Sequence, residues 1–191
     1  MRRLYPAEIN AILGGTMLVI DPSSGAKNSA TGEVSLLGWA SFENGKLVGS
    51  GTIIPDYKPQ SFRRLRAMSE FLREDFEYHD MFVQEDITTK VGHKTLIQAC
   101  GGIVSNTKSK YYFEPNIRAW QSFAQKMGGW TKGDESDAQY MGWYMIAYAS
   151  GWDSKGTQEH KEYIINRVKE YRDERDTERL KAEDGRVEPT S

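Results

Sequence analysis

Residues 17–25 read Met-Leu-Val-Ile-Asp-Pro-Ser-Ser-Gly, with Asp21 as their first charged residue. An apolar run rich in β-branched side chains reads as a strand buried on both faces. Pro22 has no N–H to continue a ladder, so the strand stops and Asp21 is delivered to its tip. A carboxylate at the end of a buried strand is costly to desolvate, and several converging there are best compensated by a divalent cation. Two other stretches offer acids of this kind. Phe82-Val83-Gln84-Glu85 is a second short strand ending on an acid, and Asp134-Glu135-Ser136-Asp137 opens an apolar helical pattern.

The chain around these acids has 191 residues, enough for one domain with a sizeable core. No run approaches the ~18 apolar residues of a membrane span. The first 15 residues carry Arg2 and Arg3, but their apolar part is too short and interrupted for a secretory signal. With a single cysteine, Cys100, no internal disulfide is available, and a cytoplasmic protein is expected. The net charge of -2 is unlike the basic balance of most nucleic-acid-binding domains, so any such surface must be local.

Working outward from Asp21, residues 22–33 are dense in Pro, Gly, Ser, Asn and Thr and read as a long loop. Residues 34–42 and 47–54 are β-rich runs on either side of Glu43-Asn44-Gly45-Lys46, and Asn-Gly between such runs signals a hairpin. From Ser61, Phe62, Leu65, Leu72 and Phe76 recur at helical spacing, which predicts a crossover helix leading into a strand over 81–85. Such a crossover sets the strands of Glu85 and Asp21 parallel and adjacent, with both acids at carboxyl ends. Residues 95–104 read as a helix of small residues and 110–113 as a fifth strand. Pro115 suits a first helical position, followed by the stripe Ile117, Trp120, Phe123, Ala124 and Met127. Asp134 begins the next helix, with Tyr140, Trp143, Tyr144, Ala147 and Tyr148 along its buried side; Asp134 and Asp137, three apart, share a face. A linker over 151–156 and a peripheral, highly charged helix over 159–181 complete the chain.

In order and spacing, these pieces resemble the RuvC-type Holliday junction resolvases of the ribonuclease H-like superfamily, as found in bacteria and phages, from residue 17 to 149. Val19-Ile20-Asp21-Pro22 is similar to that family's Ile-Asp-Pro-Gly opening, and Phe82-Val83-Gln84-Glu85 to its Ala-Ile-Glu strand. Leu96-Ile97-Gln98-Ala99-Cys100-Gly101 resembles the Leu-Gly-Gln-Ala-Arg-Gly helix after it, and Asp134-Glu135-Ser136-Asp137-Ala138 matches the family's Asp-x-x-Asp-Ala. Ser23 stands where the family has a glycine, the following loop is longer, and Asp86-Ile87-Thr88 replaces an aromatic wedge.

The resemblance implies an α/β, ribonuclease H-like fold: a five-stranded mixed sheet flanked by helices, with a C-terminal helical extension. The domains would be an N-terminal arm over 1–15, a nuclease domain over 16–150 and a charged extension over 151–191. Asp21, Glu85, Asp134 and Asp137 would be catalytic acids holding two Mg²⁺ ions, for which Mn²⁺ could substitute. The activity implied is metal-dependent cleavage of branched DNA, above all four-way junctions, by paired cuts in a homodimer, with no nucleotide cofactor. Strand alternation lets only one of Glu85 and its neighbour Asp86 face the metals. Candidate DNA-backbone contacts are Lys90, Lys94, Lys108, Lys110, Arg118 and Lys132, placed by this layout near the acidic end of the sheet. His79, His93 and His160 lack paired ligand spacing and read as surface residues.

Taken singly, the motifs have plainer readings: Asp21 before Pro22 starts a turn, and Asp134 caps a helix. Three other functions compete. The same core could be a flap, duplex or packaging endonuclease, or an inactive DNA-binding or assembly subunit. Asp21-Pro22-Ser23-Ser24-Gly25 also loosely resembles the first phosphate loop of sugar-kinase and actin-like ATPases, but that fold needs two lobes and the chain is short for them.

Overall fold

The computed structural model describes residues 2–22, 37–54, 70, 78–85, 101–104, 107–153 and 155–184, with side chains described up to Asp173. The expected loop after Pro22, most of the crossover helix, Asp86, Lys90, His93, Lys94 and most of the small-residue helix lie outside the described residues.

The Asn44-Gly45 turn forms as expected. Both residues take positive φ (50° and 73°), which matches the turn to the twist of its strands, and it joins β2 (Leu37–Glu43) to β3 (Lys46–Ile53). β1 (Thr16–Pro22) pairs antiparallel with β2 and parallel with β4 (His79–Gln84), which pairs parallel with β5 (Ser109–Phe113). The sheet order is β3-β2-β1-β4-β5, with only β2 reversed. This is an open, five-stranded mixed sheet with flanking helices, as expected. β1 is its central strand, so Met17, Leu18, Val19 and Ile20 are all fully buried, as an unbroken apolar run requires. Pro22 is the last paired residue of β1, opposite Leu37.

One face of the sheet carries Met17, Val19, Ala40, Phe42, Met81 and Val83 and packs on helices; Leu18, Ile20, Leu37 and Phe82 gather on the other with Ile103. On the helical side lie α1 (Pro6–Gly14), α2 (Ile117–Met127), α3 (Asp134–Ala149) and α4 (Gln158–Asp184). Every residue of α3 from Tyr140 to Ala147 is buried, so this helix has no solvent stripe and forms the centre of the layer. α2 buries Trp120, Phe123, Ala124 and Met127, the expected stripe without Ile117. It starts after Asn116, whose side chain accepts from the Arg118 N–H at 3.1 Å, so Pro115 precedes the cap rather than holding the first helical position. His79, expected at the surface, is instead buried, because β5 covers its strand and Ser41 Oγ lies 3.4 Å from its Nε2.

The two ends of the chain bind to this layer. Residues 1–15, read from sequence as an irregular arm, contain a helix, because Glu8 closes its first turn. Its carboxylate is only 4% exposed, accepts from the Tyr5 N–H at 2.8 Å and pairs with both terminal nitrogens of Arg2 at 2.6 and 2.7 Å. Arg2 also stacks over Phe113, 4.9 Å from its ring centre, and the Tyr148 hydroxyl donates to the Arg2 carbonyl at 2.8 Å. At the other end, Trp152, Ile164, Ile165 and Val168 are buried in the main core, so α4 covers α2 and α3 rather than standing away from them.

Two glycines set the height of α3 above the sheet. A β-carbon on Gly38 would lie 2.0 Å from the backbone carbon and oxygen of Asp134, and one on Gly142 would lie 2.2 Å from the Phe42 ring. Eight residues of helix rise about 12 Å and four of strand about 13 Å, so the two contacts keep α3 running along β2 in step. Gly38→Ala should therefore destabilise by about 3 kcal/mol or more, because the clash is with backbone. For a domain of this size that lowers the thermal midpoint by roughly 6–12 °C, measurable by calorimetry. Gly101→Ala, in a helix with nothing near the added methyl among the described residues, should leave the midpoint unchanged or slightly raised.

Candidate metal centre

β1 and β4 deliver their acids side by side. Ile20 pairs with Gln84, so Asp21 and Glu85 follow at the same level on neighbouring parallel strands, about 5 Å apart in backbone spacing. Alternation from Val19 and Val83 puts both on the helical face, where Asp21 is 8% and Glu85 4% exposed. Asp21 also pairs with Gly38 of β2, the residue on which the first turn of α3 rests. The close approach at Gly38 thus carries Asp134 and Asp137 to the tip of β1.

The charges at Asp137 register this convergence. Burial pushes its carboxyl up to about 6; the Trp130 indole opposes the rise, while the negative charges of Glu85 and then Asp134 add to it, and the Gly133 backbone opposes it last. Trp130 Nε1 donates to Asp137 Oδ1 at 2.7 Å. Glu135, on the same turn, is drawn elsewhere: its Oε1 accepts from Ser50 Oγ at 2.8 Å and from Gln139 Nε2 at 3.3 Å, while Gln139 also donates to Ser50 Oγ. Those three residues line an open cleft of about 640 Å³ between β3, α3 and α4 that contains none of the four candidate acids.

Hard carboxylate oxygens are the donor set that Mg²⁺ or Mn²⁺ prefers, and buried, mutually repelling acids are relieved by a cation. The residues therefore fit a divalent ion in chemistry. Among the described residues, no group of three His, Cys, Asp or Glu side chains stands close enough together to hold one ion as placed.

The structure separates the basic residues. Arg118 is exposed at the start of α2, just beyond the carboxyl end of β5, and Lys132 is exposed two residues before Asp134; both lie toward the acids. Lys108 does not. Its carbonyl accepts from the His79 N–H, which puts it at the far end of the parallel pair β4 and β5, and Lys110 follows on the same end. Their expected placement beside the acids is corrected by the direction of β5: its first residues lie opposite the start of β4, five residues before the strand's end. His160 is exposed, with Nε2 3.0 Å from the Gly151 carbonyl oxygen. Two contributors had escaped the sequence reading. Gly38 reads there as an ordinary strand glycine, and Trp130 lies in a glycine-rich loop with no periodicity to give its side chain a direction.

No protein-family model matches this chain, and no curated protein matches it in sequence. Among solved structures it is similar to T. thermophilus RuvC in complex with a Holliday junction substrate, at 8% identity and a TM-score of 0.45 over 70% of this chain and 92% of the other. It is also similar to the Thermus thermophilus RuvC structure, at 11% identity and a TM-score of 0.44, over 71% and 96% of the two chains. Among the described residues no helix is long and apolar enough to cross a membrane.

Asp137 also makes a prediction about stability. An aspartate of an unfolded chain titrates near 3.9, below folded Asp137, so the folded form binds this proton more tightly. The native state is therefore favoured by this group below pH ~4, loses that advantage as pH rises to about 6, and stays at the lower level at pH 7. Asp137→Asn keeps the acceptor for Trp130 and removes the charge. Allowing for partial solvent contact, it should stabilise the metal-free protein by about 1–2 kcal/mol at pH 7. Thermal melts should show a midpoint raised by about 3–6 °C at pH 7, with the difference vanishing near pH 4.

Proposed function

We propose that this chain is a divalent-metal-dependent, structure-selective DNA endonuclease that resolves four-way junctions. The observation that carries the reading is that Asp21 and Glu85 lie buried on adjacent strand ends while the first turn of α3 is docked beside them, where Asp137 feels the charge of Glu85. A buried carboxyl such as Asp137, raised by burial and by the charges of neighbouring acids, is the kind of group that marks a functional site. The order of the acids along the chain is that of the resolvases the sequence resembles.

In this reading Asp21, central between β2 and β4, and Glu85 beside it hold the ions from the strand side. Asp137 and Asp134 hold them from the helix side. When bound, two divalent ions would supply the Lewis acidity and the lowered water pKa that phosphodiester hydrolysis requires. The protein's part is positional: rigid strand ends fix two carboxylates, and a helix docked on glycine fixes the others. The amino end of α3 points its partial positive charge toward this cluster. Arg118 and Lys132 are the cations on the described surface suited to the DNA backbone at this end, and Lys90 and Lys94 are proposed with them from sequence. Glu85 is the ligand in preference to Asp86 because its side chain shares the face of Asp21 and α3. The active unit is a homodimer, which sets two such sites to cut two strands.

The test is cleavage of a labelled four-way junction beside duplex, flap and splayed-arm DNA, in Mg²⁺, Mn²⁺ or EDTA. Symmetric, metal-dependent nicks confined to the junction are expected, with Asp21→Asn, Glu85→Gln and Asp137→Asn each lowering the rate by about 10³-fold or more while junction binding persists. Equal cutting of flaps or duplex would keep the metal centre and overturn the junction preference. Binding without any cutting would favour a DNA-binding subunit. Light scattering at micromolar protein is expected to give the mass of a dimer; a monomer there would refute the paired-site arrangement.

A further inference from the structure

Trp130 lies in the loop between α2 and α3, and three contacts fix that loop. Gly128 and Gly129 both take positive φ (78° and 80°), which reverses the chain after α2. The Gly128 carbonyl accepts from the Tyr140 hydroxyl at 2.7 Å and from Arg172 Nη1, on α4, at 3.3 Å. The Trp130 ring stands edge-on to Trp120, with ring centres 5.8 Å apart, against a residue that is itself fully buried. With its ring packed edge-on to Trp120 and its loop anchored at Gly128, the indole donates its single N–H to Asp137 Oδ1 at 2.7 Å.

The geometry points to Trp130 as a positioning residue for Asp137. With Oδ1 accepting from the indole, the carboxylate is restrained from rotating about its last bond, which fixes the direction in which its remaining lone pairs face a cation. Arg172 and Tyr140 brace the loop from behind, which links the C-terminal helix to the setting of an acid. The inference rests on the proposed divalent-metal reading of the four acids. It adds to that reading a residue type that a carboxylate motif does not contain. Hydrogen-bond partners behind metal-binding side chains typically change metal affinity by about 10–100-fold when removed.

The experiment is a calorimetric titration of the full-length protein with Mn²⁺, without DNA, for wild type, Trp130→Phe and Trp130→His. Phe keeps an aromatic ring against Trp120 and removes the donor; His restores a ring N–H. Mn²⁺ affinity is expected to fall about tenfold or more in Trp130→Phe and to recover in part in Trp130→His, with the metal-free thermal midpoint of Phe close to wild type. Cleavage should follow the same pattern, with the Mg²⁺ concentration for half-maximal rate raised and the rate at saturating Mg²⁺ largely kept. Equal Mn²⁺ affinity in wild type and Trp130→Phe would overturn the role of Trp130 while leaving the metal site standing. If Trp130→Phe proves unstable, Trp130→His decides: partial affinity supports the role, and affinity no better than that of Phe at matched stability overturns it. Absence of Mn²⁺ binding in wild type would instead remove the metal reading itself, and this inference with it.

Discussion

The arrangement depends on how closely one helix can approach one strand. α3 rests its first turn on the bare backbone of Gly38 and passes its own bare Gly142 over the ring of Phe42, so a missing side chain sets the approach at each point. With a side chain at Gly38, the helix would have to stand higher or shift along the sheet. Asp134 and Asp137 would then leave the level of Asp21, which is the pairing partner of Gly38. Dense interiors transmit such a displacement rather than absorb it, so a single methyl group decides whether acids from strand and helix share one place.

That shared place carries an electrostatic cost in the absence of a cation. Asp21 and Glu85 are buried, and Asp137 is raised by burial and by the charges of Glu85 and Asp134. The fold tolerates the cluster because opposing forces are built in. The amino end of α3 and the Trp130 N–H favour ionised Asp137, and Ser50 with Gln139 draws Glu135 to the other side of the helix. Under the proposed metal-binding reading, such a centre would trade some stability for function, a common compromise at working sites.

The ends of the chain supply much of the remaining stability. α3 is apolar on all sides from Tyr140 to Ala147 and needs cover beyond the sheet. α1, clamped by the Arg2 and Glu8 pair, covers one flank; α4, through Ile164, Ile165 and Val168, covers another. Both elements look dispensable in sequence, α1 because its apolar run is brief and α4 because it is dominated by charge. Their few apolar side chains nevertheless enter the same core as the sheet.

Much of this protein was legible without coordinates wherever the information is local. The Asn44-Gly45 turn demands positive φ, the run from Met17 to Ile20 demands burial on both faces, and Asp134 and Asp137 share a helical face by spacing alone. Together with the crossover that sets the strand of Glu85 parallel to and beside that of Asp21, those facts yield the hairpin, the central strand and its parallel neighbour. The helix of residues 6–14, the buried His79 and the distance of Lys108 from the acids were not legible, because each follows from a partner far away in sequence: Arg2 on Glu8, β5 beside β4, and the parallel sense of those strands. Gly38 and Trp130 are the clearest cases. Nothing in their own neighbourhoods shows that one makes room for a helix and the other faces an acid. Only the packing of α3, with its glycine contacts at the first turn and at mid-helix and its loop held by Tyr140 and Arg172, gives those two residues their meaning.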